Sequence, residues 1–138
     1  MEPYYVSWDE YRGLARRHIA PHIKAHRDVK AIYAIPNGGV YLAADIGRLL
    51  GMPIRCVDPR GSYRFGRRDY KYMVVDDIID TGDTMRRVVG RCNSDNLVIA
   101  CLYATCKNQR IYKTSVWGEI IPDRHQKIVF PWVWKLRT

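Results

Sequence analysis

The run Tyr72-Met73-Val74-Val75 ends on two adjacent carboxylates, Asp76 and Asp77, and Thr81-Gly82-Asp83-Thr84 opens a helical pattern soon after. Few folds accept this order. Four apolar residues in succession read as a strand buried on both faces, which belongs to a parallel sheet covered by helices. Consecutive strand positions point to opposite faces, and burying two carboxylates without partners is expensive. The pair therefore has to sit at the mouth of the sheet, where hydroxyls, a cation or solvent reach both.

The rest of the chain supplies the alternation that such a sheet needs. Ser7 and Glu10 form a capping-box signal, and Tyr11, Leu14, Ala15, His18 and Ile19 recur at helical spacing, predicting a helix from about Trp8 to Ala25 with Pro21 as a kink or break. Ala31–Ile35 reads as a buried strand stopped by Pro36-Asn37-Gly38-Gly39. Val40–Leu50 reads as a helix closed by Gly51. Strands are predicted at Ile54–Val57, Tyr72–Val75, Leu97–Ala104, Val116–Ile121 and Ile128–Phe130, and a helix at Thr84–Cys92. The pattern predicts one α/β domain over 1–138 with a largely parallel twisted sheet, in which ligands bind beyond the carboxyl ends of the strands.

Two loops fall at those ends. In the first, seven of the nine positions from Asp76 to Thr84 are polar or glycine. A plain turn accounts for any one of them, but not for the ordered set. Carboxylates suit hydroxyl groups. A helix start with two threonine hydroxyls and a glycine suits a phosphate. Together they fit a ribose 5-phosphate. The second loop, 36–39, places a Gly-Gly pair between a strand and a helix, where backbone N–H groups admit an anion.

Composition narrows the partners. The chain has 138 residues, 23 Lys and Arg against 14 Asp and Glu, and a formal charge of +9. That excess favours anionic partners without choosing among a polyphosphorylated small molecule, RNA and DNA. No apolar stretch reaches the roughly 20 residues of a membrane span. The start, Met1-Glu2-Pro3-Tyr4-Tyr5, lacks the basic and apolar regions of a secretory signal. A cytoplasmic protein without membrane attachment is expected. Cys56, Cys92, Cys101 and Cys106 form no C-x-x-C pair, which argues for reduced thiols rather than zinc or disulfides.

The segment 74–84 closely resembles the phosphoribosyl pyrophosphate signature of type I phosphoribosyltransferases. The likeness extends over much of the chain in the manner of the bacterial xanthine-guanine and hypoxanthine enzymes: Val6-Ser7-Trp8-Asp9, Ser62-Tyr63, Lys107 and Pro131-Trp132. The resemblance implies that fold, with a small C-terminal hood and transfer of the phosphoribosyl group to a nucleobase, a 6-oxopurine above others. It implies that Asp76 and Asp77 hold the ribose hydroxyls, with Asp77 also near Mg2+, and that Asp80, Thr81, Gly82, Asp83 and Thr84 surround the 5'-phosphate. Asp80 would be the catalytic group that guides the base's proton. Pro36, Asn37, Gly38, Gly39 and Arg64 would take the pyrophosphate, and Lys107, Ile128 and Trp132 the base. A homodimer or homotetramer is implied.

Three departures stand out. Asn37 occupies a place where relatives often carry Arg or Lys. Lys127 stands where relatives have an aromatic residue that stacks on the base, so Trp117, Trp132, Phe130 or Tyr103 would have to serve instead, unless these are core. The connector 58–71 is shorter than the family's mobile lid, although Arg60, Arg64, Arg67, Arg68 and Lys71 give it charge to clamp pyrophosphate or meet RNA. These departures leave an alternative: a weak or inactive relative that senses a nucleotide or regulates RNA. RNA is compatible with the charge but is not the favoured partner.

Overall fold

A computed structural model describes residues 2–108 and 115–133. Strand β1 (Tyr4–Tyr5) leads into α1 (Trp8–Leu14), where Ser7 Oγ accepts from Glu10 N at 3.0 Å, as the capping-box signal predicts. The helical path then continues to His26 without breaking at Pro21. It passes through a π-helical turn (Ala15–Ile19), α2 (Ala20–Ile23) and a 3-10 turn (Lys24–His26). Proline lacks an N–H and crowds the preceding turn; the widened turn just before Pro21, with Ala20 N–H bonded to Ala15 O, is where that is absorbed.

The main sheet follows from β2 (Ala31–Ala34), β3 (Ile54–Cys56), β4 (Tyr72–Val75), β5 (Ile78–Ile79), β6 (Leu97–Thr105) and β7 (Ser115–Ile121). All of its pairings are parallel. β6 is the spine: one edge pairs with β4 along Leu97–Ala100 and with β5 at Tyr103–Ala104, and the other carries β7. β7 falls within one residue of its predicted span, whereas β5 was not predicted and leans on β6 rather than on a periodicity of its own. Near the chain's ends, β1 pairs with β8 (Ile128–Val129), and Pro131–Val133 forms a 3-10 turn. This is the small hood.

Helices cover both faces of the sheet. Ile32, Ala34, Met73, Val75, Val98 and Ala100 face one core with Tyr11, Ile19, Leu42 and Ile46 from the first helical segment and α3 (Gly39–Leu50). The alternate residues Tyr33, Tyr72, Val74 and Ile99 face another core with Met85 and Val88 of α4 (Asp83–Val89) and Phe65 of the connector. The period-2 split is what a doubly covered sheet demands. α4 is shorter than its predicted span, closing at Gly90.

Candidate functional site

The carboxyl end of β4 forms the site. Asp76 N donates to Ala100 O at 3.0 Å, so the backbone stays in the sheet one residue beyond the strand. Asp77 O then accepts from both Leu102 N and Tyr103 N, which pins the step to β5. Among the described residues both carboxylates are bonded only locally: Asp76 Oδ1 accepts from Asp77 N at 2.8 Å, and Asp77 Oδ1 from Ile78 N at 2.8 Å. Asp76 is 9% exposed. Burial pushes its carboxyl up to about 8, and the neighbouring Asp77 charge adds to the effect. Burial also raises Asp77. Trp132 Nε1 lies on the Asp77 side, where it favours the charged form, yet closes no hydrogen bond of ordinary geometry.

The two predicted loops meet here. A Cβ on Gly38 would collide with the Asp77 carboxylate, and one on Gly39 would stand 3.0 Å from Asp76 Cα. The glycines therefore let loop 36–39 approach the acids. Asn37 is exposed, and its carbonyl accepts from Val40 N at 3.2 Å. The Pro36–Asn37 peptide is cis.

Next to the acids, residues 76–82, Thr84 and Met85 line a pocket of about 260 Å3. Gly82, at φ +87°, turns the chain into α4 without a side-chain cap, a conformation that favours glycine. Asp83 N donates to Thr81 Oγ1 at 3.2 Å. Arg86 Nη2 reaches Asp83 Oδ1 at 2.6 Å and Thr81 O at 3.1 Å. The Asp83 carboxylate thus turns to Arg86. Two residues that sequence reasoning missed brace this loop: Thr105 Oγ1 donates to Asp80 O at 2.8 Å, and Asn108 Nδ2 donates to Asp80 O and to Thr105 Oγ1. A third, His125, bonds the Asp80 carboxylate at 3.0 Å. It lies only two positions from Lys127, where an aromatic residue was expected, and that proximity was the available signal.

The structure brings Asp76, Asp77, Asp80, Thr81, Gly82, Thr84 and loop 36–39 together. It does not bring Arg64 there. Arg64 Nε donates to Asn93 Oδ1 at 2.7 Å, and its Nη atoms lie 3.5 Å from Gly90 O and Cys92 O. The guanidinium therefore covers carbonyls at the carboxyl end of α4, a helix length of about 10 Å from the pocket. Lys71 is likewise committed, to Asp28 at 2.9 Å. Lys107 is exposed on a 3-10 turn (Cys106–Asn108) and is tied through its backbone N to Asp123 Oδ1 at 2.9 Å. Ile128 pairs with Tyr4 and lines a separate cavity.

Trp132 is stacked on both faces, by Tyr41 at 4.7 Å and Phe130 at 4.9 Å, so its ring is not open to a base. Phe130 and Tyr103 are core, Trp117 lines a cavity beside His18 and His22, and Lys127 is exposed. A larger cavity of about 530 Å3 lies between α1 and α3. It holds aromatic rings and the paired Asp45 and Arg48, but no acid pair and no glycine loop. Size alone does not mark the site.

Among the described residues no three His, Cys, Asp or Glu side chains form a metal cluster. The donor set present, two buried carboxylates with raised pKa values, still fits a hard cation that takes its other ligands from substrate oxygens and water.

No family model matches the chain. It is 28% identical over 146 residues to a xanthine-guanine phosphoribosyltransferase of Gluconobacter oxydans, covering 92% of this chain and 82% of that one. Its fold is similar to that of a purine phosphoribosyltransferase from Pyrococcus horikoshii, with a TM-score of 0.75 at 22% identity, covering 100% of this chain and 99% of the other. It is also similar to a xanthine-guanine-hypoxanthine phosphoribosyltransferase of Helicobacter pylori, with a TM-score of 0.68 at 15% identity, covering 95% and 94%. The chain therefore has the fold shared by these type I phosphoribosyltransferases, and its sequence is similar to that of one of them.

Proposed function

We propose that the protein transfers the 5-phosphoribosyl group of phosphoribosyl pyrophosphate to a 6-oxopurine, with release of pyrophosphate. The observation that carries this reading is the buried Asp76–Asp77 pair, which opens on the same pocket as Thr81, Gly82 and Thr84. Burial drives these acids toward the neutral form, so their charged form calls for a ligand that satisfies it. Ribose hydroxyls donate to carboxylates, and the adjoining helix start accepts a phosphate. Loop 36–39 offers its backbone to the pyrophosphate, and Asn37 adds an amide without charge.

Asp76 and Asp77 hold the sugar so that the anomeric carbon is presented to the incoming base. The enzyme's contribution is positioning and electrostatics. Asp80, on the pocket rim, accepts or guides the proton of the attacking nitrogen. Mg2+ supplies neutralisation of the pyrophosphate charge when bound, and Asp77 is the residue to hold it.

The test is base-dependent pyrophosphate release with guanine, xanthine and hypoxanthine. Asp80→Asn is expected to lower kcat by about 10²-fold or more. Thr84→Ala should weaken ribose 5-phosphate binding about tenfold, the worth of one hydrogen bond to a charged group. Release that ignores the base, or no release with any of the three, rejects the purine reading.

One observation favours a second reading. The connector 58–71 packs beside the carboxyl end of α4 instead of over the pocket, so nothing in it closes the site against water. A binding module that senses a nucleotide, with RNA as a target of its positive charge, is consistent with that. Its signature is salt-steep RNA binding without turnover.

A further inference from the structure

His125 lies in the turn between β7 and β8, and its side chain is 13% exposed. Both ring nitrogens meet acceptors: Nδ1 faces Gln126 O, and Nε2 lies 3.0 Å from Asp80 Oδ1. A carbonyl and a carboxylate offer no protons, so the ring satisfies both only by donating from both nitrogens, as an imidazolium. The hydrogen bond to Asp80 holds its pKa above the usual histidine value, and the bond to Gln126 adds to this. The charged and titratable groups around it are few. Asp80 faces it from the loop before α4. Glu119 of β7, Tyr103 of β6 and Tyr4 of β1 line the cavity it shares with Gln126, and Asp123, Arg124 and Lys127 flank it in the chain.

Asp80 itself is half-exposed on the pocket rim. Left alone, such a carboxylate samples several rotamers, and each of them places the proton acceptor differently. We propose that His125 is the positioning residue of the reaction centre: it holds Asp80 by one carboxylate oxygen so that the other meets the incoming nucleobase.

The inference rests on the transfer reaction proposed above, and its test separates the two. Kinetics would be measured for wild type, His125→Ala and His125→Gln, together with ribose 5-phosphate affinity by calorimetry and the His125 ring titration by NMR in wild type and Asp80→Asn. The expected result is a loss of about 30-fold in kcat/KM for the base in His125→Ala, with ribose 5-phosphate affinity within twofold of wild type. His125→Gln, which keeps a donor but no charge, should recover part of the loss and remove the fall in activity that wild type shows as pH rises through the His125 pKa. Asp80→Asn should lower that pKa.

If wild type turns over and His125→Ala stays within twofold, the inference is overturned while the function stands. A His125→Ala that loses ribose 5-phosphate affinity equally marks a merely structural residue and also overturns it. If wild type binds ribose 5-phosphate without turnover, an unmoved titration in Asp80→Asn decides against it. No binding of ribose 5-phosphate removes the function reading, and the inference falls with it.

Discussion

Two ends of one helix hold buried charge in opposite ways. Beyond the amino end of α4, the Asp76 and Asp77 carboxylates are bonded, among the described residues, only to the N–H groups of their own chain neighbours, and burial drives both toward protonation. Just beyond the carboxyl end, Arg91 is 8% exposed and well supplied. It donates to Tyr63 O at 3.0 Å and to Asp58 O and Gly61 O at 2.6 Å, and its guanidinium lies 4.9 Å over the Tyr63 ring, with only Nη2 lacking a partner. A charge buried for architecture comes with acceptors built around it; a charge buried for a ligand waits for them. The contrast separates the connector from the site more firmly than charge counting does.

The largest effect is expected where the charge is architectural. Arg91→Met removes the donor to the Gly61 and Tyr63 carbonyls and leaves Asp58 O with the Gly61 N–H alone, and should cost about 3 kcal/mol in urea unfolding. Arg91→Lys should recover little, because one ammonium does not reproduce the guanidinium fork. Ribose 5-phosphate affinity at temperatures well below the unfolding transition should change by less than twofold. A mild cost for Arg91→Met would mean that the connector does not depend on this residue, and the comparison would lose one of its halves.

The opposite sign is expected at the acids. Asp76 has a folded pKa of about 8 against 3.8 for the free group. The stability contributed by its neutral form is complete below about pH 4 and is lost as pH rises toward 8. In the ligand-free protein Asp76→Asn should therefore be more stable than wild type at pH 8, by about 1–2 kcal/mol once coupling to Asp77 is allowed for, with the difference shrinking toward pH 4. The asparagine keeps the oxygen that accepts from Asp77 N. The same variant should bind ribose 5-phosphate at least tenfold more weakly. Equal stability of the two proteins at pH 8 would show that the acids are already satisfied without a ligand.

What could be read from the sequence follows from where the information resides. β4 and its two acids announce themselves because an apolar run meets charge with no spacer, and Gly38 and Gly39 because only glycine fits against Asp77 and Asp76. Arg91 was invisible: its partners are backbone carbonyls of residues 58, 61 and 63, and a carbonyl has no letter in a sequence. Its burial distinguishes it from the other basic residues only after the connector is folded. Trp132 looked like a base-stacking ring because nothing local shows that Tyr41, 91 positions away, and Phe130 cover both its faces. The His125–Asp80 contact spans 45 positions between two loops, beyond any periodicity. β1 and β5 have two residues each, too few for a pattern to repeat.

Arg64 gives the smallest and most discriminating effect. The family likeness assigned it to pyrophosphate, whereas the folded chain engages it with Asn93, Gly90 and Cys92. Two of its three bonds are exposed and two are long, so Arg64→Gln should cost no more than about 1 kcal/mol of stability. If the connector is architecture, the affinity for phosphoribosyl pyrophosphate should stay within twofold, and its salt dependence should not change in slope, because no cation has left the anion's surroundings. A tenfold loss confined to the pyrophosphate-bearing ligand, with ribose 5-phosphate unaffected, would mean that the connector swings over the pocket when the substrate binds. The two ends of α4 would then cooperate in one site, and the division drawn between them would hold only for the ligand-free protein.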